Sequence, residues 1–140
     1  MTEAKRLLII DDEPDICEVL KAKFEKLGFI VSTAFDGAKG LAQVLRDLPD
    51  CILLDIRIQI GEDGLTFLRR LRGYRAEDPD QEARIRKIPV IILTAAGSQM
   101  RQLFQMEGIS DYVEKPFDTE DLERRIQRVV AVSSKTPLGG

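Results

Sequence analysis

The chain contains no histidine, and the commonest general base and the commonest transition-metal ligand are therefore both missing. Its two cysteines, Cys17 and Cys51, sit inside apolar patterns and read as small hydrophobes, not as a disulfide framework or a metal site. No apolar run approaches the length of a membrane span. The run Leu7-Leu8-Ile9-Ile10 behind Lys5-Arg6 is also far too short for a signal-peptide core, so the expected location is cytoplasmic. Neither sign of charge dominates: 21 basic residues face 24 acidic ones, and a net charge of -3 gives no general attraction to nucleic acid or to an anionic membrane surface. What is present is an ordinary globular composition, 44% apolar and 32% charged over 140 residues, enough for one domain with its own core.

Apolar runs of four or five residues alternate with amphipathic stretches, which predicts parallel strands joined by covering helices. Strands are expected near 6–11, 29–34, 50–55, 89–94 and 110–114. A first helix is expected from Asp15 to Leu27, stopped by Gly28. A second opens at Asp36-Gly37 and ends at Pro49, and a third follows Gly64. A weaker fourth is expected around 98–107 and a fifth after Asp118-Thr119, where Glu120, Asp121 and Glu123 favour the positive helix end. Gly73 to Lys87 is too long for an ordinary helix-to-strand connection and reads as a charged loop or an extension of the third helix. The expected domain is 1–132, with 133–140 a flexible tail or linker stub.

Four of the expected strands end on polar residues: Asp11-Asp12, Asp55, Thr94 and Lys115. In an open α/β sheet the crevice beyond the carboxyl ends of the strands is where ligands bind. Two carboxylates about 4 Å apart repel by roughly 4 kcal/mol at an effective dielectric near 20. A hard, oxygen-seeking cation relieves that repulsion, and Mg²⁺ is the candidate because it commonly shares its shell with phosphate. Asp55, at the end of a fully apolar run, is the candidate carboxylate nucleophile for a phosphoryl group. Lys115 offers a cation and Thr94 a hydroxyl to the phosphoryl oxygens. Read one at a time the same residues are ordinary: Asp12 caps a helix ahead of Pro14, Glu13 favours the helix end, Thr94 ends a strand, and Lys115 is a turn lysine before Pro116.

Their joint order is more specific. Asp11-Asp12-Glu13-Pro14, Leu53-Leu54-Asp55, Pro89 to Ala95 and Asp111-Tyr112-Val113-Glu114-Lys115-Pro116-Phe117 together closely resemble the receiver domain of two-component response regulators, over roughly residues 5 to 132. The resemblance implies a doubly wound, five-stranded parallel sheet of flavodoxin-like order 2-1-3-4-5 with helices on both faces. It implies a phosphorylation-dependent signalling switch, not an enzyme with a separate substrate. Asp55 would accept a phosphoryl group from a sensor histidine kinase or histidine phosphotransfer protein. Asp12 and Asp55, Asp11 through water and the backbone carbonyl of Arg57 would hold Mg²⁺. Thr94 and Lys115 would bind phosphoryl oxygens, and the Lys115-Pro116 bond would be cis. Tyr112 would turn inward as Thr94 moves toward the phosphate. The output surface would be the face of the fourth expected helix, fifth strand and fifth helix, which would bind a downstream protein or a second copy of the chain, with no direct nucleic-acid or membrane contact.

The sequence departs from the family pattern at Arg57 to Gly64, a loop that lacks the usual Pro and is one residue longer, and in the Gly73 to Lys87 insertion. Ala96, two residues after Thr94, leaves room for an attacking water, while Arg57 beside the phosphoryl position would pair with it or obstruct that water. A second reading is therefore a degenerate receiver that binds partners regardless of phosphorylation. A haloacid dehalogenase-type phosphohydrolase is disfavoured because Arg57 stands where its acid/base Asp belongs. A flavodoxin is disfavoured by acids where its phosphate loop offers donors.

Overall fold

The computed structural model describes residues 4–56, 61–95 and 100–134. Five strands, β1 (Arg6–Ile10), β2 (Ile30–Ala34), β3 (Cys51–Ile56), β4 (Val90–Thr94) and β5 (Asp111–Glu114), alternate with six helices. The helices are α1 (Pro14–Lys26), α2 (Gly37–Asp47), α3 (Gly61–Arg72), α4 (Pro79–Arg86), α5 (Arg101–Met106) and α6 (Thr119–Ser134). The strands form one sheet in the order β2-β1-β3-β4-β5, every pair parallel. The expected fold class is thus the observed one.

Both faces of the sheet are covered, which is why the central strands β1, β3 and β4 are nearly continuous apolar runs instead of alternating, while the edge strands β2 and β5 are mixed. Leu8, Ile10, Ile52, Leu54, Val90 and Ile92 point to one face and pack with Val44 of α2, Phe67 and Leu71 of α3, Ile85 of α4 and Phe104 of α5. Leu7, Ile9, Leu53, Ile91 and Leu93 point to the other and meet Cys17, Leu20 and Phe24 of α1 and Leu122, Ile126 and Val130 of α6. Both cysteines are buried and free, in keeping with their reading as small hydrophobes.

Helix ends follow local chemistry. Asp36 caps α2 by accepting from the Lys39 N–H at 2.8 Å, and Gly28 and Gly108 adopt the positive φ values of 98° and 88° that stop α1 and α5. Leu48, also at positive φ, ends α2 immediately before Pro49.

The Gly73 to Lys87 segment corrects the sequence reading. It is neither a loop throughout nor a continuation of α3, which ends at Arg72, but contains the separate helix α4. Its start is capped by Asp78, which accepts from the Asp80 N–H at 3.0 Å, and Pro79 occupies the first turn. Ile85 alone of α4 is fully buried. One buried residue in eight gives almost no helical periodicity, and this is why the pattern concealed it. The fourth and fifth helices expected from sequence are α5 and α6. Among the described residues no helix is long and apolar enough to cross a membrane.

Candidate functional site

The strand order sets β1 between β2 and β3, and β3 between β1 and β4, so the carboxyl ends of β1, β3, β4 and β5 open on one crevice. Asp11 continues β1: its N–H donates to the Ala34 carbonyl at 3.0 Å, and its buried Oδ1 accepts from the Glu13 N–H at 2.9 Å. The first helical residue is Pro14 and the preceding position is Glu13, so Asp12 is not the helix cap that a residue-by-residue reading allows. Asp55 lies opposite Leu93 in the β3–β4 register and its side chain is only 2% exposed.

Carboxylate oxygens of Asp11, Asp12, Glu13 and Asp55 all fall within 4.8 Å of one another. Glu13, which the sequence left open between a helix-end acid and a member of the acidic cluster, joins the group. Burial raises the Asp11 carboxyl to about 7, with the Glu13 N–H opposing the rise, Asp55 adding to it and Lys115 lowering it. Lys115 Nζ stands 2.7 Å from Asp55 Oδ1. That contact is a close ion pair without the alignment of a hydrogen bond, and among the described residues both Asp55 oxygens and Asp11 Oδ2 lack a hydrogen-bond partner. Buried carboxylate oxygens converging from the ends of two strands, with no hydrogen bond among the described residues, are the donor set a hard divalent cation takes.

Lys115 is aimed by the backbone: its N–H donates to the Thr94 carbonyl at 2.7 Å, and the Lys115-Pro116 peptide is cis. Thr94 is fully buried at the end of β4. Tyr112 is also buried, its ring 6.5 Å from that of Phe104 and covered by the Arg101 guanidinium at 4.7 Å from its centroid. Burial and Glu114 push its phenol above the ordinary value, while Arg101 and a side-chain hydrogen bond with Thr94 oppose the shift. The ring is thus buried on the edge strand β5 and connected to the end of β4. Arg57 and Ala96 lie outside the described residues.

Sequence reasoning missed Arg101. It pairs with Glu114 at 3.6 Å while lying over Tyr112. A basic residue on a weakly periodic helix carries no signal of such a contact. Nothing short of the β5 register, which places Tyr112 opposite Ile92, would have brought the two together.

The sequence profile of the response regulator receiver domain matches residues 7–127. The chain belongs to the response regulator receiver family. A curated relative of this receiver is the DNA-binding dual master transcriptional regulator RpaA of Synechocystis, 35% identical over 133 residues that make up 94% of the chain and 52% of the relative. The receiver thus spans about half the length of that relative. Among solved structures, chemotaxis response regulator CheY4 of Vibrio cholerae superposes with a TM-score of 0.77 at 24% identity, covering 91% of this chain and 99% of that one, a likeness of fold. The receiver domain of sensor histidine kinase PA1611 from Pseudomonas aeruginosa, 29% identical with a TM-score of 0.75, covers 92% of this chain and 99% of its own, and holds a magnesium ion in its active-site cleft.

Proposed function

We propose that this receiver is a phosphorylation-operated switch in which Asp55 takes a phosphoryl group from the phosphohistidine of a sensor histidine kinase or histidine phosphotransfer protein. The observation that carries the reading is the buried Asp55 carboxylate, facing Lys115 at 2.7 Å and grouped with Asp11 and Asp12. One Asp55 oxygen attacks phosphorus, the P–N bond breaks, and its electron pair returns to the imidazole of the donor. Asp11, Asp12 and Asp55, together with the backbone carbonyl of Arg57, would hold Mg²⁺. When bound, the cation neutralises charge on the transferring phosphoryl oxygens. Lys115 then exchanges its contact with the free carboxylate for one with the phosphoryl group, and the Thr94 hydroxyl donates to another oxygen. A Thr94 drawn toward the phosphate changes its hydrogen bond with Tyr112 and so biases α5, which packs on that ring. The surface formed by α5, β5 and α6 then presents a changed face to a downstream protein or to a second copy of the chain. In this reading the receiver works in the cytoplasm, promotes its own phosphorylation and dephosphorylation, and contacts neither nucleic acid nor membrane directly.

The test is labelling by acetyl phosphate or phosphoramidate, followed by a transfer profile against candidate kinases. Labelling of the wild type is expected to require Mg²⁺ and to vanish on chelation and in Asp55→Asn. Label retained in Asp55→Asn would place the nucleophile elsewhere. Absent labelling together with equal partner affinity of wild type and Asp55→Asn would replace the switch by a constitutive interaction module.

A further inference from the structure

The segment between α3 and β4 takes no part in the site, yet it is tied to α5 by one side chain. Arg72, the last residue of α3, uses four of the five guanidinium N–H groups. Nε and Nη2 donate to the Gly108 carbonyl at 2.9 and 2.7 Å, and Nη1 donates to the carbonyls of Arg86 at 2.8 Å and Ile88 at 2.7 Å. Gly108 lies just beyond α5, and Arg86 and Ile88 flank the end of α4. The Arg86 carbonyl is the last of α4, has no partner within that helix and lies at the negative end of its dipole, which suits a cation, while Gly108 and Ile88 lie two residues past α5 and α4. One guanidinium at the end of α3 therefore joins the chain segments that leave α4 and α5.

Further contacts stiffen the same region. Arg69, nearly one turn before Arg72, pairs with Glu107 at 3.2 Å. Arg86 Nε donates to the Tyr74 carbonyl at 2.7 Å, and Glu82 accepts from the Ala76 N–H at 2.9 Å. Within α5 itself, Arg101 at its start and Phe104 in its second half contact Tyr112.

We infer that α4 and Arg72 form a brace that holds α5 down on Tyr112, so that the insertion sets how readily the α5–β5 surface rearranges. Its regulatory consequence rests on the switch reading, whereas the brace itself is tested without any phosphoryl group. A lysine lacks the planar array needed to reach three carbonyls, so the device requires arginine.

The experiment is hydrogen–deuterium exchange on the full chain, comparing wild type with Arg72→Met. Exchange of amides in 101–107 and 111–114 is expected to rise about tenfold, as loss of several charge-assisted bonds lowers the cost of local opening. Exchange in α1 and α2 is expected to stay within twofold. Unchanged exchange in α5 overturns the brace, as does an equal rise in every element, which reports general destabilisation. Should Arg72→Met fail to fold, Arg72→Lys, which keeps the charge but cannot reach three carbonyls, decides instead: a rise of roughly threefold confined to 101–107 and 111–114 supports the brace, and no rise overturns it. Acetyl phosphate labelling of the wild type, run in parallel, reports on the switch reading alone.

Discussion

Lys115 faces a buried carboxylate whose second neighbour is another acid, so its removal should cost more than a surface pair would. Breaking a buried pair by deleting one partner leaves an uncompensated charge, and with Lys115 partly exposed about 1–3 kcal/mol is the expected loss for Lys115→Met without Mg²⁺. Urea unfolding checks this. Adding Asp55→Asn to the same chain should recover part of the loss, and a double variant less stable than Lys115→Met would refute the explanation. A second residue-level expectation concerns pH. Burial pushes the Cys51 thiol up from 9.0 to about 12. The unfolded thiol ionises first, so its contribution to stability is complete below pH 9 and lost as pH climbs from 9 toward 12. Between pH 9 and 11 the unfolding midpoint of wild type should therefore fall further than that of Cys51→Ala. The placement of Asp11, Asp55 and Thr94 at strand ends was legible in the sequence because each follows a run of four apolar residues, whereas Lys115 follows the mixed strand Asp111–Glu114 and stood out only through the family resemblance. Arg72 and Arg101 were not legible: their partners Gly108 and Tyr112 are distant in sequence, and a charged residue on a helix looks the same whether it faces water or a carbonyl.

At the scale of elements, visibility tracked burial. The five strands are packed on both faces, and their apolar runs announce them. α2 and α6 show stripes broad enough to read, whereas α4 buries a single isoleucine and is held by its cap, by the Arg72 guanidinium on its Arg86 carbonyl and by the Arg86 side chain on the Tyr74 carbonyl. The Asp78-Pro79 pair followed by Asp80 and Glu82 was the available signal, a helix start without an apolar face to follow. Asp78→Ala should therefore cost about 1 kcal/mol and accelerate exchange across 79–86 while leaving the strands protected. Gly40 in α2 makes a different demand. A Cβ there would stand 2.5 Å from Ile10 Cδ1 and 3.1 Å from Ile10 Cγ1, inside a packed core. Gly40→Ala gains up to about 1 kcal/mol of helix propensity but overpacks at a cost of about 1–3 kcal/mol. A net loss, read from the urea midpoint, is the expected sign.

For the whole molecule the decisive fact is strand order. Acids separated by more than forty residues meet because β1 and β3 are neighbours, and the family resemblance anticipated that order before any coordinate did. Binding of Mg²⁺ to the folded chain alone should raise stability by RT ln(1 + [Mg²⁺]/Kd), about 2.7 kcal/mol at one hundred times Kd. A thermal midpoint that climbs with magnesium in wild type, and much less in Asp12→Asn, is expected; equal climbs in both would remove Asp12 from the cation site. The two apolar layers carry a further consequence. α6 is rooted in the layer shared with α1, α5 in the layer shared with α2, α3 and α4, and neighbouring residues of β5 belong to different layers, Tyr112 to one and Val113 to the other. The proposed output surface thus straddles a seam. A slight slide of one half against the other alters the spacing between the outward side chains of α5 and α6, although neither helix changes internally, and a protein that grips both reads that gap like the jaws of a caliper.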